Sequence, residues 1–381
     1  MNRLSDLNIS NQNLVIRVDM NVPIEDGVVT DNTRILACMP TIKFAQKSNA
    51  KILLVTHLGR PKEGTFDKNF SLKPVATEVS KILDHEVDLI DNLDSTKIFN
   101  GSSDIQILEN IRFFEGEKSN CNKLGKSLSS LGDIYVFDAF GTSHREQSST
   151  HSAILNSNLS CAGLLLEKEI DSLTKALNES QNPYTAIIGG AKVSTKLELI
   201  KNINSKADHI IVGGGIANTF LKAAGHEIGI SLCEESMVGI AKELLNDGKI
   251  ILPDTVITSK NFEGEDIKEK HISEVKKNEM ILDQFLNDEI DNAISSSNTI
   301  LWNGPLGVFE NKSFKEGTEQ LSNAIAKSNA FSIAGGGETL SAINKFINKD
   351  DVSYCSTGGG AFLEFMEGKD LPSIAALKAK I

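Results

Sequence analysis

Short apolar runs of strand length alternate along the chain with longer segments that have helical periodicity. In the first half these runs are NLVIRV from Asn13, AKILLVT from Ala50, HEVDLI from His85, DIQIL from Asp104 and IYVFDAF from Ile134. In the second half they are YTAII from Tyr184, HIIV from His209, KIIL from Lys249, NTILW from Asn298, AFSIA from Ala330 and VSYC from Val352. Apolar strands separated by helices are typical of parallel sheets that are covered on both faces.

These strands are too many for one ordinary open sheet, and 381 residues are long for one hydrophobic core. We therefore predict an α/β fold with two doubly wound (Rossmann-like) parallel-sheet domains joined by a helical hinge. The division is predicted near CAGLLLEKEIDSLTKAL, from Cys161, where a strand-like piece runs into a long helical pattern. The predicted first domain covers residues 1–162, and the second covers residues 163–368 with the connecting helix.

The residues that follow the strands differ between the two halves. In the first half they are polar and basic, in the segments VDMNVP, THLGRP, LENIRFF and DAFGTSHR. In the second half they are rich in glycine, in IIGGAK, VGGGIA, WNGPLG, AGGGET and STGGGA. Ligands of open α/β sheets bind beyond the carboxyl ends of the strands. The sequence therefore predicts two different ligands, one for each domain.

The distribution of charge indicates which kind of ligand to expect. The formal net charge is −12, which argues against broad nucleic-acid binding. The chain has only six arginines, and all of them lie within its first 145 residues. A guanidinium group is permanently charged and binds carboxylates and phosphates through two parallel hydrogen bonds. Arginines grouped in an otherwise acidic protein predict a small anionic substrate.

Cysteine usage and the N-terminus predict a cytoplasmic protein. The five cysteines are odd in number and scattered, without a CxxC pair, which favours reduced thiols over disulfides or a zinc site. MNRLSDLNIS does not resemble a secretory signal. No apolar run approaches the roughly 18 residues that a membrane-spanning helix needs. We expect no membrane partner and no nucleic-acid partner.

Glycine between a strand and a helix lets a phosphate group approach the unpaired N–H groups of the helix N-terminus. Two common nucleotide motifs nevertheless fail: NKLGKS has Asn120 where a P-loop needs glycine, and GGGIAN ends in Asn218. GGAKVSTKLEL predicts Lys192 and Lys196 on one face of the first turns of a helix. Cations at that end of a helix are unfavourable unless an anion binds there, although both could be solvated surface lysines.

Polar side chains at the first-half strand ends allow two interpretations each. Asp19 and Asn21 lie on the same side of a strand end, where they could bind a substrate hydroxyl or orient an arginine, or simply form a turn. His57 and His144 could be acid–base catalysts or neutral hydrogen-bond donors. The sequence does not decide between these interpretations.

Taken together, RVDMNVP, HLGRP, ENIRFF, DAFGTSHR, GGAKVSTK and WNGPLGVFE resemble the phosphoglycerate kinase family, in the family's order. The resemblance runs from Arg17 to Gly368. It implies reversible phosphoryl transfer between ATP and 3-phosphoglycerate, giving 1,3-bisphosphoglycerate and ADP, with Mg²⁺ as cofactor, in glycolysis. It also implies that the first domain binds the phosphoglycerate, that the second binds the nucleotide, that residues 369–381 pack back onto the first domain, and that the protein is a monomer.

The resemblance also implies roles for individual residues. The phosphoglycerate-binding residues would be Asp19, Asn21, Arg34, His57, Arg60, Arg112 and Arg145. The nucleotide-binding residues would be Gly190, Ala191, Lys196, Gly215, Asn303, Pro305, Val308, Glu310, Gly336, Gly337, Glu338 and Thr339. The catalytic residues would be Arg34, Lys192 and Lys196. Glu338 would contact Mg²⁺ through the nucleotide phosphates, at a position where the family typically has aspartate.

The implied chemistry fits these residue types. The attacking carboxylate is already ionised, so catalysis consists of aligning two anions in line and neutralising charge on the transferring group. We predict that Arg34 and Lys192 contact that group and that Lys196 holds the nucleotide phosphates. Bringing two ligands together predicts domain closure, with a hinge near residues 166–169.

Two rival functions share part of this pattern. A nicotinamide-dependent dehydrogenase is also a two-domain α/β enzyme, but the broken GxGxxG pattern and the arginine-rich strand ends argue against it. A binding protein that keeps the fold without activity would be expected to lose Arg34, Lys192 or the glycine triplets, and all of these are present.

Overall fold

The structure is a computed structural model, and it describes residues 1–94 and 96–380. It divides into two compact units, one formed by Met1–Asp171 with Asp370–Ile381 and the other by Ser172–Lys369. The geometric boundary at Asp171 falls within the helix Leu164–Asn178. The division predicted between residues 162 and 163 stays a prediction, and Ile381, at the end of the predicted returning segment, lies outside the described residues.

The first unit contains a six-stranded sheet in which every pairing is parallel. Its strands, in spatial order, are Asp88–Ile90, Ile105–Leu108, Lys51–Val55, Asn13–Val18, Ile134–Asp138 and Ser160–Ala162. A two-stranded hairpin is formed by Ile24–Glu25 and Val28–Val29. The inner strands are almost wholly buried because helices cover both faces, which is why they read as continuous apolar runs.

The helices of the first unit follow the strands in the alternating order that the sequence predicts. They are Thr33–Lys47, Lys73–Leu83, Asn122–Ser129, Ala153–Asn156, the first part of Leu164–Asn178, and Pro372–Lys378. Short 3₁₀ turns are Leu4–Asp6, Lys68–Phe70, Ile111–Phe113 and Phe140–Thr142, and Ser148–Ser152 is a π-helical turn. Pro372–Lys378 is tied to this unit by Ser373, whose N–H donates to the carbonyl of Ser143 at 3.1 Å.

The second unit contains another six-stranded parallel sheet. Its strands, in spatial order, are Ile250–Ile251, His209–Gly213, Tyr184–Gly189, Thr299–Asn303, Phe331–Ala334 and Tyr354–Cys355. The helices that belong wholly to it are Leu197–Asn204, Gly214–Ala223, Val238–Leu245, Asp288–Ser296, Glu316–Lys327, Gly337–Phe346 and Gly360–Met366. Its short 3₁₀ turns are Glu235–Met237, Ile272–Glu274, Lys312–Phe314 and Lys349–Asp351.

The second unit also has a three-stranded antiparallel sheet that the sequence analysis did not predict. Its strands, in order, are Lys268–His271, Thr255–Ser259 and Met280–Gln284. The edge strand Lys268–His271 is polar and largely exposed, so it carries no apolar run by which it could be recognised. This small sheet matters for function because Met280–Gln284 supplies one wall of the cleft described below.

The predicted fold class is confirmed, since both main sheets are parallel and alternate with helices. All eleven predicted strands are present, and Ser160–Ala162 completes the first sheet. Each unit has its own apolar core, with Ile16 and Val136 in the first and Ile187 and Trp302 in the second. Within the described residues, no helix combines the length and the apolar character that crossing a bilayer requires.

Candidate active site

The carboxyl edge of the first sheet gathers charged side chains from several segments. Arg17 and Asp19 come from the central strand and its end, His57 and Arg60 follow Lys51–Val55, and Arg112 lies in a turn after Ile105–Leu108. Parallel strands end at one edge, so residues far apart in sequence converge there. Arg34, near the start of Thr33–Lys47, and Arg145, after Ile134–Asp138, complete the set. The structure thus brings together every predicted phosphoglycerate-binding residue at one edge of the first unit.

Asp19 and Asn21 organise their surroundings through hydrogen bonds. One carboxylate oxygen of Asp19 accepts from Nη1 of Arg34 at 2.9 Å. Asn21 accepts from the backbone N–H of Gly59 at 2.9 Å through Oδ1, which links the ends of two neighbouring strands. Arg34 remains exposed, so its guanidinium keeps donors that face solvent. Asp19 therefore orients an arginine that can still bind an anion.

His57 is buried, and its electrostatic environment is positive. Burial, followed by the charges of Arg17, Arg112, Arg145 and Arg34, holds the pKa of His57 well below its ordinary value. Its Nδ1 lies 3.3 Å from Nη2 of Arg17. His57 is therefore a neutral imidazole at physiological pH and suits hydrogen bonding to an anion rather than proton transfer.

The arginines of this edge repel one another. Burial, followed by the charges of Arg145, Arg17 and Arg60, lowers the pKa of Arg112 to about 10. Nη1 of Arg112 donates to the carbonyl of Gly59, whereas no hydrogen-bond acceptor among the described residues meets its Nε. Burial also lowers the pKa of Arg145. Such a like-charged cluster is costly without a bound anion, which makes this edge a candidate anion-binding site.

Arg17 is absent from the predicted set of site residues, yet its charge acts on His57, Arg112 and Arg145. Its Nε donates to Oγ of Ser149 at 2.9 Å, and that hydroxyl donates to buried Glu117 at 2.5 Å. Burial raises the pKa of Glu117, whose carboxyl group lies close to Arg17 and Arg112. The sequence does contain a signal for this role, namely a charged residue inside the apolar run NLVIRV. A buried arginine requires polar or charged partners.

The carboxyl edge of the second main sheet forms a cleft of about 170 Å³. The predicted nucleotide-binding residues that line it are Gly190, Ala191, Gly215, Pro305, Val308, Glu310 and Glu338. Apolar side chains that were not predicted line it as well, namely Leu232, Phe262, Met280, Ile281, Leu282 and Leu306. Phe262 and Leu232 are large exposed hydrophobic residues at this cleft, so they offer apolar surface to a flat aromatic group.

The two lysines are placed differently from the prediction. Lys192 and Lys196 do not lie on the first turns of a helix, because the helix begins after them, at Leu197. Lys192 is exposed in the preceding loop, and Lys196 precedes the helix as its N-cap residue. The prediction was wrong because glycine and the Val193–Ser194–Thr195 turn extend the loop before helical geometry starts.

Lys196 is mostly buried and close to the strand ends. Its Nζ donates to the carbonyl of Asn303 at 3.0 Å and to the carbonyl of Gly189. Burial lowers the pKa of Lys196 to about 8, and the nearby charge of Glu338 opposes that shift only in part. The ammonium group therefore lies in an environment that an additional anion would stabilise.

The helix Gly337–Phe346 starts at the cleft with open space in front of it. Gly336 precedes it with φ of 98°, a conformation that favours glycine, and a Cβ on Gly337 would meet nothing within 4 Å. The first N–H groups of a helix lack intrahelical partners and attract anions. Glu338 is exposed in this first turn, at the cleft wall.

Asn303 and Thr339 connect the strand ends below this helix. Asn303 donates from Nδ2 to the carbonyl of Gly335 at 2.7 Å, while its Oδ1 is buried and meets no donor among the described residues. The hydroxyl of Thr339 donates to Gly335 and accepts from the N–H of Gly304 at 2.8 Å. The Thr339 side chain is thus occupied in supporting the edge of the sheet.

Not all glycines at this edge leave room for a ligand. A Cβ on Gly189 or Gly213 would overlap the carbonyl of Pro305, and one on Gly335 would overlap the ring of Phe362. These glycines permit close backbone packing, whereas Gly337 leaves open space. Among residues 1–94 and 96–380 there is no cluster of three or more His, Cys, Asp or Glu arranged to hold a metal.

Two parallel α/β units, one with an arginine-rich edge and one with a glycine- and lysine-containing cleft, define a two-domain α/β enzyme that acts on anionic ligands. The family model of phosphoglycerate kinase matches residues 4–369. The phosphoglycerate kinase of Vibrio campbellii is 47% identical over 382 residues, covering 99% of this chain and 98% of the relative.

Solved structures agree with this result. The chain superposes on the structure of phosphoglycerate kinase from Coxiella burnetii with a TM-score of 0.93 at 43% identity, covering 99% of both chains. The Pyrococcus horikoshii phosphoglycerate kinase gives a TM-score of 0.83 at 31% identity, covering 100% of this chain and 99% of the other. The chain belongs to the phosphoglycerate kinase family. It is a kinase that has a carboxyl group as acceptor and acts in glycolysis.

Proposed function

We propose that the chain transfers a phosphoryl group reversibly between MgATP or MgADP and 3-phosphoglycerate or 1,3-bisphosphoglycerate. The observation that carries this proposal is the arginine cluster around His57, which exceeds its neighbouring carboxylates in charge. A substrate with a phosphate and a carboxylate supplies the two anionic groups that such a cluster needs. We also propose that the protein is a monomer in the cytoplasm, in keeping with the family resemblance.

In the first unit, we assign phosphoglycerate binding to Asp19, Asn21, Arg34, His57, Arg60, Arg112 and Arg145. The guanidinium groups neutralise the substrate's phosphate, and neutral His57 donates a hydrogen bond from its protonated nitrogen. Arg34 is held by Asp19 at 2.9 Å and is exposed, which supports its assignment to the carboxylate that receives the phosphoryl group.

In the second unit, we assign the apolar part of the cleft to the nucleobase and the start of Gly337–Phe346 to the phosphates. Supporting this are the open space at Gly337 and the unpaired N–H groups of the first helical turn. Half-buried Lys196 at the neighbouring strand ends would balance phosphate charge, and we assign exposed Lys192 to the transferring group. We retain Gly190, Ala191, Gly215, Asn303, Pro305, Val308, Glu310, Gly336 and Thr339 as walls or supports of the nucleotide site.

The donor set fits magnesium delivered with the nucleotide. Mg²⁺ prefers oxygen ligands and usually combines one or two carboxylates with phosphates and waters. Glu338 is an exposed carboxylate at the cleft, so we assign it the protein contact to the metal. When bound, the ion neutralises charge on the phosphate oxygens.

The reaction then needs no general base, because the accepting carboxylate is ionised at neutral pH. The chain's contribution is alignment of two anions and neutralisation of charge on the transferring phosphoryl group by Arg34 and Lys192. Because each ligand is assigned to its own unit, we propose that the units close during the reaction, about a hinge near residues 166–169. Solution scattering is expected to show compaction only when both ligands are present.

A coupled assay with 3-phosphoglycerate and MgATP tests the proposal. Arg34→Ala and Lys192→Ala are expected to lower kcat by roughly 100-fold or more, as is typical when a group that stabilises the transition state is removed. Arg3→Ala and Lys201→Ala are matched controls, since Arg3 pairs with Asp171 and Lys201 lies exposed on a helix, and both should keep full activity. Unchanged turnover in Arg34→Ala or Lys192→Ala would contradict these assignments.

A further inference from the structure

One wall of the cleft is a turn of backbone, Pro305–Val308, that is held from behind. The N–H groups of Leu306 and Gly307 point to Oγ1 of Thr318, at 3.2 and 3.4 Å. The N–H of Val308 donates to the carbonyl of Leu282 at 2.9 Å. The N–H groups of this wall therefore bond to two elements, the strand Met280–Gln284 and the start of the helix Glu316–Lys327, while the carbonyl of Leu306 accepts from the N–H of Gly214 at 2.9 Å.

Asp283 joins these two elements. It lies in the strand with 1% of its surface exposed, and its Oδ2 accepts from the N–H of Gly317, in the first turn of the helix, at 2.9 Å. A Cβ on Gly307 would overlap Oδ1 of Asp283, and a Cβ on Gly317 would also lie against that oxygen. The carboxyl group therefore fills the space between the helix start and the cleft wall.

The state of this carboxyl group is unusual. Its Oδ1 is buried and meets no donor among the described residues. Burial, helped by the charge of Glu316 and opposed by hydrogen bonds from backbone N–H groups, raises the pKa of Asp283 to about 7. A buried polar atom that lacks a partner costs stability. The cost is explained if the Asp283 carboxyl group is needed to fill the space between Gly307 and Gly317.

We propose that Asp283 is a positioning residue for the nucleotide: it fixes the Pro305–Val308 wall against the helix Glu316–Lys327 and so sets the width of the cleft. The proposal rests on the assignment of this cleft to the nucleotide. Asp283 does not line the cleft itself, whereas Leu282, Gln284 and Gly307 do. Its effect must therefore pass through the wall, and it should act on nucleotide binding without altering the arginine-rich edge of the other unit.

The test compares Asp283→Ala with the shape-conserving Asp283→Asn in steady-state kinetics with both substrates varied. Asp283→Ala is expected to raise KM for MgATP roughly tenfold, the loss typical of a displaced binding wall, with KM for 3-phosphoglycerate changed less than about twofold. Asp283→Asn keeps the acceptor for Gly317 and the filled space, so it is expected to restore KM for MgATP. Thr318→Val removes the acceptor for Leu306 and Gly307 and gives a second test if Asp283→Ala fails to fold.

Thr185→Val is the matched control. Thr185 is buried in the same unit and its hydroxyl donates to the carbonyl of Ala293 at 3.1 Å, away from the cleft lining. It should lower stability and leave both KM values unchanged. The proposal is overturned if the folded Asp283→Ala or Thr318→Val variant keeps the wild-type KM for MgATP, or if both KM values rise together. Failure of the wild type to bind MgADP in a direct titration would instead overturn the assignment of the cleft.

Discussion

Arg17 lies with Nη2 3.3 Å from Nδ1 of His57, inside the first unit. A guanidinium group donates hydrogen bonds and never accepts them, so Nδ1 must be the unprotonated nitrogen of the ring. The proton of the neutral imidazole is therefore on Nε2. This contact leaves Nε2 as the ring's donor, which supports the interpretation of His57 as a neutral hydrogen-bond donor.

The first prediction concerns this tautomer. Because burial and four arginines lower the pKa of His57, the ring should stay neutral with its proton on Nε2 at pH values where an ordinary histidine is largely protonated. Nitrogen-15 NMR of the labelled protein distinguishes the tautomers by the chemical shifts of the two ring nitrogens. An imidazolium spectrum at pH 6, or a proton on Nδ1, would show that the described arginine contact is incorrect.

The second prediction is that Arg112→Met stabilises the protein while it weakens phosphoglycerate binding. The substitution removes a buried cation that Arg145, Arg17 and Arg60 repel, and methionine fills its place with an apolar side chain of similar length. Replacing such a charge is expected to raise the free energy of unfolding by roughly 1–2 kcal/mol. Denaturant unfolding and calorimetric titration with 3-phosphoglycerate measure the two effects.

Arg3→Met is the control for this trade-off, because Arg3 pairs with Asp171 outside the cluster. It should leave phosphoglycerate binding unchanged and should not raise stability. If Arg112→Met lowers stability, or keeps full affinity for 3-phosphoglycerate, then the repulsion within the cluster is not what makes this edge an anion site.

The third prediction is proton uptake on nucleotide binding. Burial lowers the pKa of Lys196 to about 8 in the free protein, and nearby phosphates should raise it again. At pH 8 about half of the lysine side chains are neutral, so MgADP binding should take up roughly half a proton, and affinity should fall as pH rises above 8. Calorimetry in buffers of different ionisation enthalpy measures the uptake. Lys196→Met should abolish it, Lys201→Met should not, and equal heats in all buffers for the wild type would contradict the assignment.

The fourth prediction concerns Glu338. Glu338 is the proposed protein contact to the metal. Glu338→Ala removes one oxygen ligand, so the Mg²⁺ concentration that gives half-maximal activity should rise several-fold. Glu338→Asp shortens the side chain by one methylene and tests whether the exact reach matters. Glu198→Ala, in an exposed pair with Lys201, is the control. A wild-type magnesium dependence in Glu338→Ala would remove Glu338 from the metal site.

Much of the fold could be predicted because its main strands are buried on both faces. Runs such as NLVIRV and NTILW are mainly apolar, which indicates a parallel strand covered on both faces or a buried helix. The strand Lys268–His271 could not be predicted in the same way, since its exposed polar side chains carry no periodic pattern. Edge strands are defined by what they pair with, and a sequence alone does not state its pairings.

In the site, too, features that follow from local sequence could be predicted, whereas features that depend on long-range contacts could not. Polar and charged residues at strand ends predict convergence, because parallel strands share an edge, and the hydrogen bond from the N–H of Gly59 to Oδ1 of Asn21 joins two such ends at 2.9 Å. Other features depend on contacts across the fold and could not be predicted. They are the burial of Arg17, the close packing of Gly213 against Pro305, and the position of Asp283 between Gly307 and Gly317. The placement of Lys192 before the helix, rather than on it, depends on loop geometry that glycine makes variable.

The central claim is that the two units bind different anions, phosphoglycerate in the first and magnesium nucleotide in the second. Calorimetric titration of Arg112→Met and Lys196→Met, each with 3-phosphoglycerate and with MgADP, tests this claim most directly. We predict that Arg112→Met loses affinity only for 3-phosphoglycerate and that Lys196→Met loses affinity only for MgADP. If a folded variant loses both ligands equally, or if the pattern is reversed, the assignment of one ligand to each unit is wrong.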